Sequence, residues 1–216
     1  NMILYNANQN FQSKITMNKL AFTVSSIFVL LTAISFQATS HAEPANLGLL
    51  TQEIKQYHES GAYEKEVAEV AKKAENFIEN RIHENLNSPH PRKLAIVLDI
   101  DETSLTNYHY MLARHFLANK QQLHQEILNA DAPALKPILH LYRQAIHQGV
   151  SVFFVTGRYE VEREATLTNL KAEGYVKFKE LYLKPNDYEN SSIVPFKAKI
   201  RKEIEQQGYT IIANLG

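Results

Sequence analysis

The sequence predicts an α/β protein: a parallel sheet flanked by helices, with helices before it and a small helical insertion after its first strand. Three observations carry that expectation. Four short apolar runs, 94–98, 150–155, 181–183 and 209–213, read as strands buried on both faces. Amphipathic segments separate them, and strands alternating with helices imply a parallel sheet with right-handed crossovers. The stretch 105–133 is longer than an ordinary crossover loop and carries its own helical segment near 117–129.

The elements follow in order. Leu47, Leu50, Ile54 and Tyr57 recur at helical spacing, as do Val67, Val70, Ala74, Phe77, Ile78 and Ile82. Ser60-Gly61 breaks this region into two helices, and Asn87-Ser88-Pro89-His90-Pro91 is a loop. Leu94 to Leu98 is the first strand. A helix over 134–147 ends at Gly149, and 160–173 ends at Gly174, glycine being suited to the left-handed position after a helix. Phe196, Ile200 and Ile204 stripe a last helix that ends at Gly208, before the fourth strand. An insertion after strand one would lie over the carboxyl ends of the strands, where open α/β sheets bind ligands.

Composition narrows the chemistry. The 216 residues contain no cysteine, which excludes thiolate nucleophiles, disulfides and cysteine-ligated metals. Met17-Asn18-Lys19, the uncharged run 20–36 and the small residues before Ala42 have the three-part layout of a secretory signal peptide. The competing reading is an uncleaved anchor; the run is short for that and rich in Ser and Thr. Residues 1–16 read as an upstream extension, 17–42 as the signal, and 43–216 as the folded domain. Residues 1–42 hold Lys14, Lys19 and no acid, so 43–216 carries 21 basic and 23 acidic residues, a net −2. No nucleic-acid polymer is expected as a partner, nor a membrane once the signal is removed. The expected location is periplasmic or secreted.

The first strand runs straight into Asp99-Ile100-Asp101-Glu102-Thr103. Acids at the end of a buried apolar strand are costly unless positive charge meets them. Magnesium suits carboxylate and phosphate oxygens. A carboxylate can also attack phosphorus, while a second one exchanges protons with the leaving group and water. Strand two ends in Thr156-Gly157-Arg158, where a hydroxyl and free backbone N–H groups suit a phosphate. Lys197 opens the last helix and Lys184 follows strand three; either cation lies near the same sheet edge.

Together, Asp99 to Thr103 with Leu105, Asn107 and Tyr110, then Phe153 to Arg158, then Phe196-Lys197-Ala198-Lys199, then Gly208 to Gly216, resemble the four motifs of the haloacid dehalogenase (HAD) superfamily. More narrowly they resemble its secreted class B and class C acid phosphatases, which include plant vegetative storage proteins. The resemblance covers roughly 45–216. It implies a HAD-like, Rossmannoid fold and a magnesium-dependent phosphomonoesterase acting on small phosphate esters, with nucleotides among them. It assigns Asp99 as nucleophile and metal ligand, and Asp101 as general acid/base and metal ligand through its carbonyl. Thr156, Gly157 and Lys197 would hold the phosphoryl group, with Lys184 a rival for the lysine. Two departures stand out. Ser104 occupies a usually apolar position. The resemblance also implies an acidic metal ligand directly after Gly216: either 43–216 is a domain truncated before motif four, or the protein has lost that magnesium ligand.

Other residues leave alternatives open. Arg158 contacts phosphate or pairs with a helix acid. Tyr108, Tyr110 and Phe116 stack on a substrate ring or pack the core, and His109 and His115 lie in the insertion beside the cleft. The alternative function is a catalytically weak or inactive storage or binding protein with the same fold.

Overall fold

The computed structural model describes residues 46–216; the expected extension, signal segment and cleavage position lie outside the described residues. Two helices come first, α1 (Leu47–Glu59) and α2 (Ala62–Leu86), with Gly61 in the left-handed region at the break. Then follow β1 (Lys93–Leu98), α3 (Tyr108–Ala113), α4 (Lys120–Leu128), α5 (Lys136–His147), β2 (Ser151–Tyr159), α6 (Arg163–Ala172), β3 (Glu180–Lys184), α7 (Val194–Gln206) and β4 (Tyr209–Leu215). The four strands form one parallel sheet in the order β3-β2-β1-β4.

Alternation along the central strands divides the core into two layers. Ala95, Val97, Phe153 and Val155 face α7, packing against Phe196, Ile200 and Ile204. Ile96, Leu98, Val152 and Phe154 face the other way, against Ile78 of α2, Leu141 and Tyr142 of α5 and Leu170 of α6. Both central strands are therefore buried on both sides, the burial that near-continuous apolar runs imply.

The expected elements are present, and the differences have physical causes. Strand two continues four residues beyond Val155, to Tyr159, so Thr156-Gly157-Arg158 lies within it rather than after it. The segment 108–113 forms an unexpected short helix, α3. In α2 the core residues are Ala71 and Ile78, with Val67, Ala74 and Ile82 packed beside them; Val70 and Phe77 stay exposed. The stripe used is thus rotated toward the small alanines, which let α2 approach α5.

The insertion is pinched at its base. Thr106 N–H donates to Pro133 O (2.9 Å) and Leu135 N–H to Ser104 O (3.0 Å), with Leu105 bridged to Ala134. Residues between these points form a unit standing at the end of β1.

Candidate active site

A tight turn after β1 brings the two aspartates to one place. The Ile100 carbonyl accepts from the N–H groups of Thr103, Ser104 and Leu105. Glu102 takes a left-handed conformation (φ 51°), sparsely used by non-glycine residues, and its carboxylate accepts from Asn107 N–H at 2.7 Å. The chain reverses at once, so Asp99 and Asp101 remain together at the sheet's carboxyl edge. Ser104 secures the turn from inside: fully buried, its hydroxyl donates to the Asp99 carbonyl at 2.6 Å. Its own carbonyl accepts from the buried Tyr175 hydroxyl at 2.9 Å. The polar residue at a usually apolar position is therefore a bolt between the turn and the core.

Each aspartate meets a cation. Lys197 Nζ, from the first turn of α7, donates to Asp99 Oδ2 at 2.5 Å, and Ile100 N–H donates to Oδ1 at 2.8 Å. Burial pushes the Asp99 carboxyl above the ordinary carboxylate range, and the Lys197 contact opposes that rise without cancelling it. Asp101 receives Arg158 from β2, with Nη2 donating to Oδ1 at 2.7 Å and Nε to Oδ2 at 3.1 Å. Of the two rival lysines, the structure brings Lys197 to Asp99. Lys184 lies over the Tyr159 ring, 3.6 Å from its centroid.

Thr156 and Gly157 sit in a break of the ladder. Val155 pairs with Tyr182 and Tyr159 with Lys184, so three residues of β2 oppose Leu183 alone. Thr156 is fully buried, and its hydroxyl accepts from Arg158 N–H at 3.2 Å. Its side chain is therefore less open than the sequence suggests. Gly157 is partly exposed; a Cβ there would stand 3.7 Å from Ile193, an ordinary contact, so packing does not demand the glycine. Gly216, after β4, is different. It adopts φ 137°, and a Cβ would fall 2.4 Å from Asp99 Cβ. The end of β4 thus lies against the Asp99 side chain.

This arrangement of carboxylates, cations and a strand break at one sheet edge coincides with a family match. Residues 17–216 match the family model described as HAD superfamily, subfamily IIIB (acid phosphatase). The chain belongs to that family. Vegetative storage protein 2 of Arabidopsis thaliana is 32% identical over 124 residues, 56% of this chain and 46% of the relative. Acid phosphatase 1 of Solanum lycopersicum is 29% identical over 123 residues, 56% of this chain and 48% of the relative. The chain spans about half the length of these relatives. A crystal structure of the class C acid phosphatase from Bacillus anthracis with tungstate bound superimposes with a TM-score of 0.63 at 20% identity, covering 78% of this chain and 69% of the other. At that identity the likeness establishes the fold.

HAD-superfamily phosphatases generally use magnesium, and the donor chemistry here suits a hard divalent cation. The Asp99 carboxylate and Asp101 carbonyl are oxygen ligands of the required kind. Among the described residues, no three His, Asp or Glu side chains form a group able to hold a metal, so these two are a partial set.

In this subfamily IIIB chain, the residues left open by sequence have the following neighbours. Arg158 binds Asp101 and, on α6, Thr166 (3.2 Å), with its side chain 1% exposed. Its acid partner lies in the turn after β1 rather than on a helix. Tyr108 stacks on His58 of α1 with centroids 3.4 Å apart, and Tyr110 donates to Asp131 at 2.9 Å. Phe116 meets Tyr108 edge-on, while His109 and His115 are exposed. His124 of α4, singled out by nothing in the sequence, contacts buried Glu162 at 2.8 Å and ties the insertion to the turn before α6.

Proposed function

We propose that the protein is an exported, magnesium-dependent acid phosphatase that hydrolyses small phosphomonoesters through an aspartyl-phosphate. The observation that supports this best is the Asp99–Lys197 contact beside a second, separately held carboxylate, Asp101. One carboxylate is partly buried against a mobile-stemmed cation suited to phosphoryl charge. The other is held within reach of solvent, with its side chain 36% exposed.

The steps follow from these groups. An Asp99 carboxylate oxygen attacks phosphorus as the ester P–O bond breaks, and its electron pair leaves on the alcohol oxygen. Asp101 in its protonated form donates a proton to that oxygen. Asp101 then takes a proton from water as the water oxygen attacks phosphorus; the bond from phosphorus to Asp99 breaks, its electron pair returns to the Asp99 carboxylate, and inorganic phosphate leaves. Lys197 offsets the negative charge gathered near Asp99. Gly157, where the strand break leaves space, gives the phosphoryl group room beside Thr156. Magnesium, when bound by the Asp99 carboxylate and the Asp101 carbonyl, supplies further charge neutralisation and alignment.

Nucleotides are among the small esters of this class. Residues 17–42 would direct export, with cleavage after Ala42. The plant relatives include storage proteins, which keeps a non-catalytic role as the competing reading. Retention of both aspartates and their cations favours turnover.

The test is hydrolysis of p-nitrophenyl phosphate at acidic pH, with and without EDTA. Turnover that needs magnesium supports the proposal; an inert protein, or activity indifferent to EDTA, overturns it. For export, the secreted protein's N-terminus by mass spectrometry is expected at Glu43, and an intact Met17 refutes cleavage.

A further inference from the structure

We infer that Arg158 is a positioning residue that selects which oxygen of Asp101 transfers the proton; this rests on the phosphatase reading above. The two oxygens of Asp101 are unequally engaged. Oδ1 accepts Arg158 Nη2 at 2.7 Å, Arg158 Nε at 3.2 Å and Asn107 Nδ2 at 2.9 Å. Among the described residues, Oδ2 accepts Arg158 Nε alone, at 3.1 Å. A carboxylate oxygen has two lone-pair sites, so Oδ1 is saturated and Oδ2 retains capacity.

Arg158 itself cannot turn away. Its third donor arm, Nη1, binds the buried hydroxyl of Thr166 at 3.2 Å, and the guanidinium is planar and enclosed. This also removes it from direct phosphate contact. A chain of fixed groups, Thr166 to Arg158 to Asp101, therefore joins α6 to the turn after β1. Its consequence is orientation: Oδ2 carries the proton and gives it to the alcohol oxygen as the P–O bond breaks.

The need for that proton depends on the leaving group, which gives a test that a merely structural ion pair would not pass. The full chain is assayed with magnesium on 2,4-dinitrophenyl, p-nitrophenyl and phenyl phosphate, whose phenols need protonation increasingly. In kcat/KM, which reports the steps up to aspartyl-phosphate formation, Asp101→Asn is expected to lose about 100-fold on phenyl phosphate, and less than about 3-fold on the dinitrophenyl ester. Arg158→Gln follows the same tilt. Arg158→Lys keeps the charge but not the fork, and tilts less. The double variant Asp101→Asn/Arg158→Lys tilts no more than Asp101→Asn alone. If Arg158→Gln fails to fold, Arg158→Lys and the double variant carry the test.

Equal loss on all three esters in an Arg158→Lys protein that melts like wild type overturns the positioning role. So does an additive tilt in the double variant. A folded wild-type chain inert toward every ester overturns the phosphatase reading, and the inference with it.

Discussion

Asp99 and Asp101 are two residues apart, yet they meet their cations in opposite ways. On the α7 flank, Asp99 receives one ammonium, and both partners are about one-fifth exposed, 19% and 18%. On the α6 flank, Asp101 receives a planar fork whose side chain is 1% exposed. In the proposed reaction, a lysine on a flexible stem can follow charge as it moves from carboxylate to phosphoryl oxygen. An enclosed arginine holds geometry instead. The difference separates charge compensation from orientation, and it comes from which element supplies each cation: a helix start or a strand interior.

The largest expected effects lie on the α7 flank. Asp99→Asn should abolish turnover, by on the order of 10⁴-fold or more in kcat. The same substitution tests the burial of that carboxyl. Its raised pKa means the folded chain holds the proton more tightly than the unfolded chain. Ionised Asp99 therefore opposes folding at neutral pH, and the penalty fades as pH falls through the folded-state pKa. In EDTA, Asp99→Asn should melt higher than wild type at pH 7, with the gap closing in acid. A gap that widens in acid would contradict the cause.

The two lysines sharpen the comparison next. Lys197→Met should lower kcat by about 10²–10³-fold, as loss of a preorganised cation does. Lys184→Ala should change turnover less than about 3-fold and act on Tyr159 instead. Lys184 lowers the Tyr159 pKa through its side-chain contact and charge, so removing it should raise the ultraviolet titration of that tyrosine toward the ordinary value. Comparable loss of kcat in both lysine variants would erase the distinction between them.

Glycines give a smaller contrast. Gly157→Ala should leave the melting temperature near wild type, because its Cβ finds ordinary contact, yet weaken phosphate binding, read as a raised Ki for inorganic phosphate. Gly216→Ala should displace Asp99 and lower kcat, since the methyl has no space and the backbone is left-handed. At the bolt beneath both flanks the expected effect is on stability. Ser104→Ala removes a buried hydrogen bond and should cost about 1–2 kcal/mol in urea unfolding.

Much of this protein was legible from the chain alone, for a local reason. Apolar runs, helical stripes and closing glycines act over a few residues, so strand order in sequence, helix positions and the acidic turn after β1 could all be read. The family followed from motifs that are themselves contiguous. Pairings across long separations were not legible. Arg158 lies 57 residues from Asp101 and Lys197 98 residues from Asp99, and many acids offered themselves to each. Sequence left Lys184 and Lys197 as rivals because both follow strand three near the same sheet edge. Only the packing of α7 against β1 brought one to Asp99, while the pairing of β2 with β3 set the other on Tyr159. Ser104 looked anomalous because its partners, the Asp99 carbonyl and Tyr175, meet only when the turn closes over the core. The sequence thus determined which groups stand at the carboxyl edge of the sheet. The tertiary structure decided their partners, because charge pairing depends on distance in space and burial.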